Sequence, residues 1–421
     1  MCGIIQFGAS NKSASLRFRR NENNMKYDFE SIIDRKGHDA LAIDALRDNP
    51  TPPKEGWSVI PMWVADMSFA TCPTITEAMA ERAKHPCFGY FKPSDEYWNS
   101  IIDWQTKRNG AIGLERKHLG YENGVLGAVI TAVGAFASAG DNILLHSPTY
   151  VGFTGCLENM GYNMVLSELK LDENNIYRMD YEDMEKKIEE NNIHVCVFCS
   201  PHNPTGRVWE KEELEKAMAI FEKHHVYVVS DEIWSDLIRP GHKHIPTQSV
   251  SEYAKMHTVA QYATTKTFNL AGLVGSYHIV YSKYLRDRIN KAGSLSHYNN
   301  MNVFSQHALI GAYKPEGHEW VDELNQVIAS NIDTMKTFLE GYGFKMSLPQ
   351  ATYLLFADAT DYCAKHNITI DELQHKMWDY GVSTQDGRPF HGPCHIRINT
   401  AIPPVLIKEA CDRLEKYVLE K

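Results

Sequence analysis

The chain runs to 421 residues, enough for two or three lobes with cores of their own. With 43 Lys and Arg against 53 Asp and Glu the net charge is −10, which argues against a general nucleic-acid surface. No apolar run reaches the length of a membrane span, so neither nucleic acid nor membrane is expected as a partner.

In chain order, Met1-Cys2-Gly3-Ile4 resembles the start of enzymes that hydrolyse glutamine with an N-terminal cysteine. The tail then turns polar and basic through Arg17-Phe18-Arg19-Arg20, leaving no room for such a domain before Met25. Its apolar stretch is too short for a signal peptide. Residues 1–24 therefore read as a disordered extension, and Cys2 as non-catalytic. Residues 25–74 read as the N-terminal part of a small domain, with Asn49-Pro50-Thr51-Pro52-Pro53 a surface loop.

From Ile75 onward, helix-like and strand-like segments alternate. Strands are expected at Asn142–His146, His194–Cys199, Val226–Ser230, Thr258–Tyr262 and Ser276–Tyr281. Helical patterns such as Gly124–Ser138 and Lys211–His225 lie between them. Short apolar strands alternating with helices imply a largely parallel, doubly wound sheet covered on both faces. Residues 75–315 are therefore expected to form a large α/β domain. A long helix from about Trp320 to Lys336 then leads into a smaller α+β domain over 316–421. Its strands are expected at Tyr353–Ala357 and His395–Asn399, and its helices at Asp371–Tyr380 and Val405–Leu419.

Nine cysteines in no regular framework fit the reduced thiols of a cytoplasmic enzyme. Cys196 and Cys199 form a C-x-x-C, yet Val195-Cys196-Val197-Phe198-Cys199 reads as a buried strand and no second ligand pair follows. Both read as small core residues, and no metal site is expected.

Three local sequences carry chemistry: Ser200-Pro201-His202-Asn203-Pro204-Thr205-Gly206, Ser230-Asp231-Glu232-Ile233, and Ala263-Thr264-Thr265-Lys266-Thr267-Phe268-Asn269. Asn203, Asp231 and Lys266 each fall just beyond an expected strand end, where ligands bind in a doubly wound sheet. Such an ordered set is what pyridoxal phosphate requires. A lysine amine forms a Schiff base with the aldehyde, and an aspartate keeps the pyridine nitrogen protonated so that the ring accepts electrons. Taken singly, each has a plainer reading: Asp231 as a helix cap, Tyr150 as a turn aromatic, Asn203-Pro204 as a turn signal and Arg397 as a solvent-facing strand residue.

Further runs extend the pattern: Pro61-Met62-Trp63-Val64-Ala65-Asp66-Met67, Phe88-Gly89-Tyr90, Asn269-Leu270-Ala271-Gly272-Leu273 and Gln350-Ala351-Thr352-Tyr353-Leu354. With these, the chain from about Met25 resembles fold-type I pyridoxal-phosphate enzymes, the aspartate-aminotransferase superfamily. It is most similar to the C–S β-lyase, cystathionine β-lyase-like branch. The resemblance implies a mostly parallel seven-stranded sheet and a homodimer with the active site at the interface. It implies Lys266 as the Schiff-base lysine and proton shuttle, Asp231 on the pyridinium nitrogen and Asn203 on O3′. Tyr150 would stack on the ring. Gly124, Val125 and Leu126 would offer backbone N–H groups to the phosphate, joined by the Thr265 hydroxyl and by Tyr90 of the neighbouring subunit. Arg397 would hold the substrate α-carboxylate as a bidentate fork.

Three departures stand out. Trp234 occupies a position usually tyrosine in the superfamily and often histidine in the branch, and an indole N–H donates but does not titrate. Val274 stands where aminotransferases often carry a phosphate-binding arginine. The segment Gln385–His391 does not match the Phe-Gly-rich loop of the resemblance. The expected activity is cleavage of S-substituted L-cysteines to thiol, pyruvate and ammonia. An aminotransferase is the alternative, followed by a racemase or a regulatory protein that retains the site.

Overall fold

Strands form where short apolar runs can be buried on both sides, and Val195–Cys199, with every residue buried, is the clearest case. The computed structural model describes residues 25–295 and 299–420, so the tail with Cys2 lies outside the described residues. In chain order the early strands are Ile60–Met62 (β1), Leu119–Glu122 (β2), Asn142–Ser147 (β3), Asn163–Glu168 (β4), Lys170–Leu171 (β5), Tyr177–Arg178 (β6) and Val195–Cys199 (β7). They are followed by Tyr227–Asp231 (β8), Thr258–Tyr262 (β9), Ser276–Ile279 (β10), Leu354–Asp358 (β11), Val382–Asp386 (β12) and His395–Asn399 (β13).

Seven of these make one sheet in the order β2-β10-β9-β8-β7-β3-β4. Only β10 runs antiparallel to its neighbours; the other pairs are parallel, as expected of a doubly wound sheet. Helices cover both faces. Val129, Ala132 and Val133 of the helix Val125–Phe136 pack on Ile143, Val197, Val229 and Val259. On the opposite face Leu214, Met218 and Phe221 of the helix Lys211–Lys223 meet Leu144, Cys196, Phe198 and Val228. The spacing of those three residues puts one apolar stripe on the sheet.

The element ends differ slightly from the sequence pattern. Strand β8 continues through Asp231, whereas β10 stops at Ile279, short of Tyr281. The long helix spans Pro315–Glu340, starting earlier than its apolar periodicity suggests because Pro315 suits the first helical turn.

A second sheet has the order β1-β12-β13-β11. Strand β1 runs parallel to β12, pairing Ile60 with Val382 and Met62 with Thr384. The Asn399 amide then holds the carbonyls of Val64 and Asp66 at 2.7 and 2.6 Å. The N-terminal segment is thereby fixed across the carboxyl ends of the large sheet. This is what lays Ala65 beside Lys266.

Candidate active site

A cavity of about 250 Å³ opens where β7 and β8 end, and Asn203, Asp231, Trp234 and Lys266 all line it. The topology supplies the convergence. Strands β7 and β8 are adjacent and parallel, with Cys199 opposite Asp231, so the segments following them emerge at the same edge. Lys266 follows the next strand, β9, in the short helix Thr264–Thr267.

Asp231 is buried, and its Oδ1 accepts the Ile233 amide at 3.0 Å. Burial pushes its carboxyl up to about 7; that hydrogen bond pulls the other way, neighbouring Glu232 adds to the rise, and Lys266 opposes it. Burial and the like charge of Arg397 push the Lys266 amine down to about 8, against the pull of Asp66 and Asp231. Its Nζ donates to the Ala65 carbonyl at 2.7 Å and lies 5.7 Å from the centre of the Trp234 ring. The same carbonyl accepts the Tyr353 hydroxyl at 2.8 Å, and Tyr353 meets Trp234 edge to face at 4.9 Å.

Arg397 is only 3% exposed, which excludes the solvent-facing reading. Its Nη2 donates to the Trp63 carbonyl at 3.1 Å and to Gln385 Oε1, and the guanidinium lies 4.4 Å from the centre of the Phe390 ring. Burial pushes it down to about 10. Its Nε and Nη1 have no partner, and neither has Asn203 Oδ1. Buried polar atoms are rarely left unmet, so these mark where a ligand's polar groups complete the site.

The other end of the cavity is the start of the helix Val125–Phe136. Gly124 has φ +81, a conformation L side chains resist, and its own N–H is committed to the Glu122 carbonyl at 3.0 Å. The first helical bond runs from the Ala128 amide to the Gly124 carbonyl, leaving the amides of Val125, Leu126 and Gly127 at the open end. Gly124 thus turns the backbone, and the residues after it supply the N–H groups. Thr265 and Val274 line the cavity nearby. These groups fit pyridoxal phosphate: an anion-binding helix end, an aspartate awaiting a cationic partner, a lysine poised to lose its proton and a buried guanidinium with free donors.

Tyr150 lines the cavity as expected, whereas Tyr90 is fully exposed and lies outside it. Sequence reasoning overlooked three contributors. Cys199 lines the cavity although the strand pattern made it a core residue, Ala65 acts through its carbonyl, and Gln385 holds Arg397. Ala65 stood within the Trp63–Met67 run, and Gln385 within the segment that departs from the resemblance. No residue type signals a carbonyl contact.

The sequence pattern of the aminotransferase class I and II family matches residues 58–414, and the chain belongs to that family. Among individual proteins, it is 34% identical over 336 residues to cystathionine β-lyase PatB of Bacillus subtilis, covering 79% of this chain and 85% of that one. Cystalysin from Treponema denticola, whose crystal structure contains pyridoxal 5′-phosphate, superimposes with a TM-score of 0.85 at 31% identity, over 93% of this chain and 98% of that one. The pyridoxal-phosphate-bound C–S lyase of Staphylococcus hominis gives 0.84 at 29% identity, over 94% and 99%.

Proposed function

We propose that the protein is a pyridoxal-phosphate-dependent C–S β-lyase that cleaves S-substituted L-cysteines to thiol, pyruvate and ammonia. The observation that carries this reading is the convergence of Lys266, Asp231 and Asn203 on one cavity, with Arg397 buried close enough for its charge to act on Lys266 and still holding two unpartnered nitrogens. The similarity to C–S lyases over most of the chain supports the reaction type.

The cofactor, when bound, supplies an electron sink for the charge left at the substrate Cα. The protein does the rest. Arg397 would grip the α-carboxylate through its free donors and so orient the substrate at Cα. Lys266 would hold the cofactor aldehyde and, once released from it, would take the Cα proton, with an amine that burial has already made a weaker base than an ordinary lysine. Asp231 pairs with the ring nitrogen, Asn203 binds O3′, and Tyr150 and Trp234 confine the ring. The amides of Val125 and Leu126, with the Thr265 hydroxyl, bind the phosphate.

Tyr90 completes the phosphate site from a second subunit in this reading. Its full exposure supports that, as does the groove of about 760 Å³ along Phe88, Tyr90, Met301 and Phe304. We assign residues 75–315 to the cofactor-binding domain and residues 25–74 with 316–421 to the small one. The described cysteines are all free thiols, which fits a reducing cytoplasm.

Aminotransfer remains the second reading, favoured by the family match itself. Incubating the cofactor-loaded protein with L-cystathionine distinguishes the two. Thiol and pyruvate in equal amounts support the lyase. Amino-group transfer to 2-oxoglutarate without thiol release would replace it with the aminotransferase.

A further inference from the structure

Beneath the helix Val125–Phe136, neighbouring strands of the large sheet set polar side chains side by side. Residues alternate faces along a strand, so Asp231 shares a face with Val229, Gln261 with Val259 and His278 with Val280. All three valines pack in the core under that helix. Gln261 is the register partner of Asp231 on β8 and of His278 on β10. The His278 ring lies over Gly120, where a Cβ would otherwise stand, and its Nδ1 is 2.8 Å from Glu122 Oε1. Glu122 Oε2 accepts from Asn299 at 3.3 Å, and Asn299 Oδ1 accepts the Asn123 amide at 2.9 Å. Asp231 and Asn123 both line the cavity, so the row reaches it at both ends.

One link is open. Gln261 is completely buried, and neither its Oε1 nor its Nε2 has a hydrogen-bond partner. An amide buried with both ends unmet does not stabilise the fold that holds it, which directs attention to what it meets when the site is filled. The groups of matching chemistry on either side are the Asp231 carboxylate and the His278 imidazole.

We propose that Gln261 is a positioning residue for Asp231, its amide bridging that carboxylate to the buried His278–Glu122 pair in the cofactor-loaded protein. The inference rests on Asp231 being the partner of the ring nitrogen. An amide suits the place because it both donates and accepts. With Asp231 ionised, Nε2–H donates to the carboxylate and Oε1 accepts from the His278 ring. With Asp231 protonated, the amide turns over, so that Oε1 accepts a hydrogen bond from the carboxyl O–H and Nε2–H donates to the free nitrogen of the His278 ring. Either arrangement leaves no unmet atom on Gln261 and fixes the plane of the carboxylate against the pyridine.

The test compares wild type, Gln261→Leu and Gln261→Met, which keep volume and burial but lose the amide. Melting temperatures are measured without pyridoxal phosphate, and the dissociation constant for added pyridoxal phosphate is read from its absorbance. A positioning role predicts that the cofactor-free variants melt no lower than wild type. It also predicts that their dissociation constants rise about tenfold, as for one lost hydrogen bond to a charged group. Variants that bind pyridoxal phosphate as tightly as wild type overturn the proposal, whatever their melting temperature. Wild type that takes up no cofactor would instead remove the cofactor assignment itself.

Discussion

Lys266 is held where its charge is least welcome. Its amine falls from an ordinary 10.5 to about 8 on burial, so between these values the unfolded chain binds more protons than the folded one. Stability of the cofactor-free protein therefore rises with pH from about 8 to 10.5, and below 8 the buried charge is a standing cost. Lys266→Met should stabilise the cofactor-free protein at pH 7 by about 1–2 kcal/mol, after allowing for the lost bond to Ala65. The gain should fade as pH rises through that window. Denaturant unfolding at several pH values checks it, and the same variant should show neither turnover nor bound-cofactor absorbance. Arg397 invites a complementary experiment. Arg397→Lys keeps the charge but loses the fork, so KM for α-amino acids should rise by the equivalent of roughly 1–3 kcal/mol, with kcat less affected. Unchanged KM would assign the carboxylate to another residue.

At the level of elements, the turn into the helix Val125–Phe136 deserves a direct probe. Gly124→Ala places a Cβ at φ +81 and should cost about 1–2 kcal/mol. It should also weaken cofactor binding by tilting the Val125 and Leu126 amides, which separates it from a purely structural lesion. A melt and a cofactor titration together report both effects. Much of this scale was legible in the sequence. Strand β9 and strand β13 lie where the apolar runs put them, and Asn203, Asp231 and Lys266 meet because adjacent parallel strands end at one edge. What escaped has physical reasons. Strand β1 is three residues long, and its pairing with β12 joins distant parts of the chain, which no local pattern encodes. Arg397 alternates with Ile396 and Ile398 as an exposed residue would, yet both faces of β13 are covered there. Gln385 was legible only as a mismatch, because its partner is known only once β12 and β13 are paired.

For the whole molecule, a shared site has a measurable signature. If Tyr90 serves the neighbour's cavity, Lys266→Ala and Tyr90→Ala damage different subunits' contributions to a site. Co-expressed in equal amounts, the two nearly inactive chains should regain about a quarter of wild-type activity, since half the dimers are mixed and one of their two sites is intact. No recovery, from dimers shown to be mixed, would place Tyr90 outside catalysis.

The pairing of Ile60–Met62 with Val382–Asp386 also bears on how the protein is made. A ribosome releases the first of these strands long before it has synthesised the second, so β1 waits without a partner while the large sheet assembles. The Ala65 carbonyl can reach Lys266 in its final geometry only after the last third of the chain has emerged. Cofactor and lysine are thus expected to meet in an unfinished pocket, and a chain stalled before Val382 should present Ile60-Pro61-Met62 as bare apolar backbone, ready for a chaperone or a wrong neighbour.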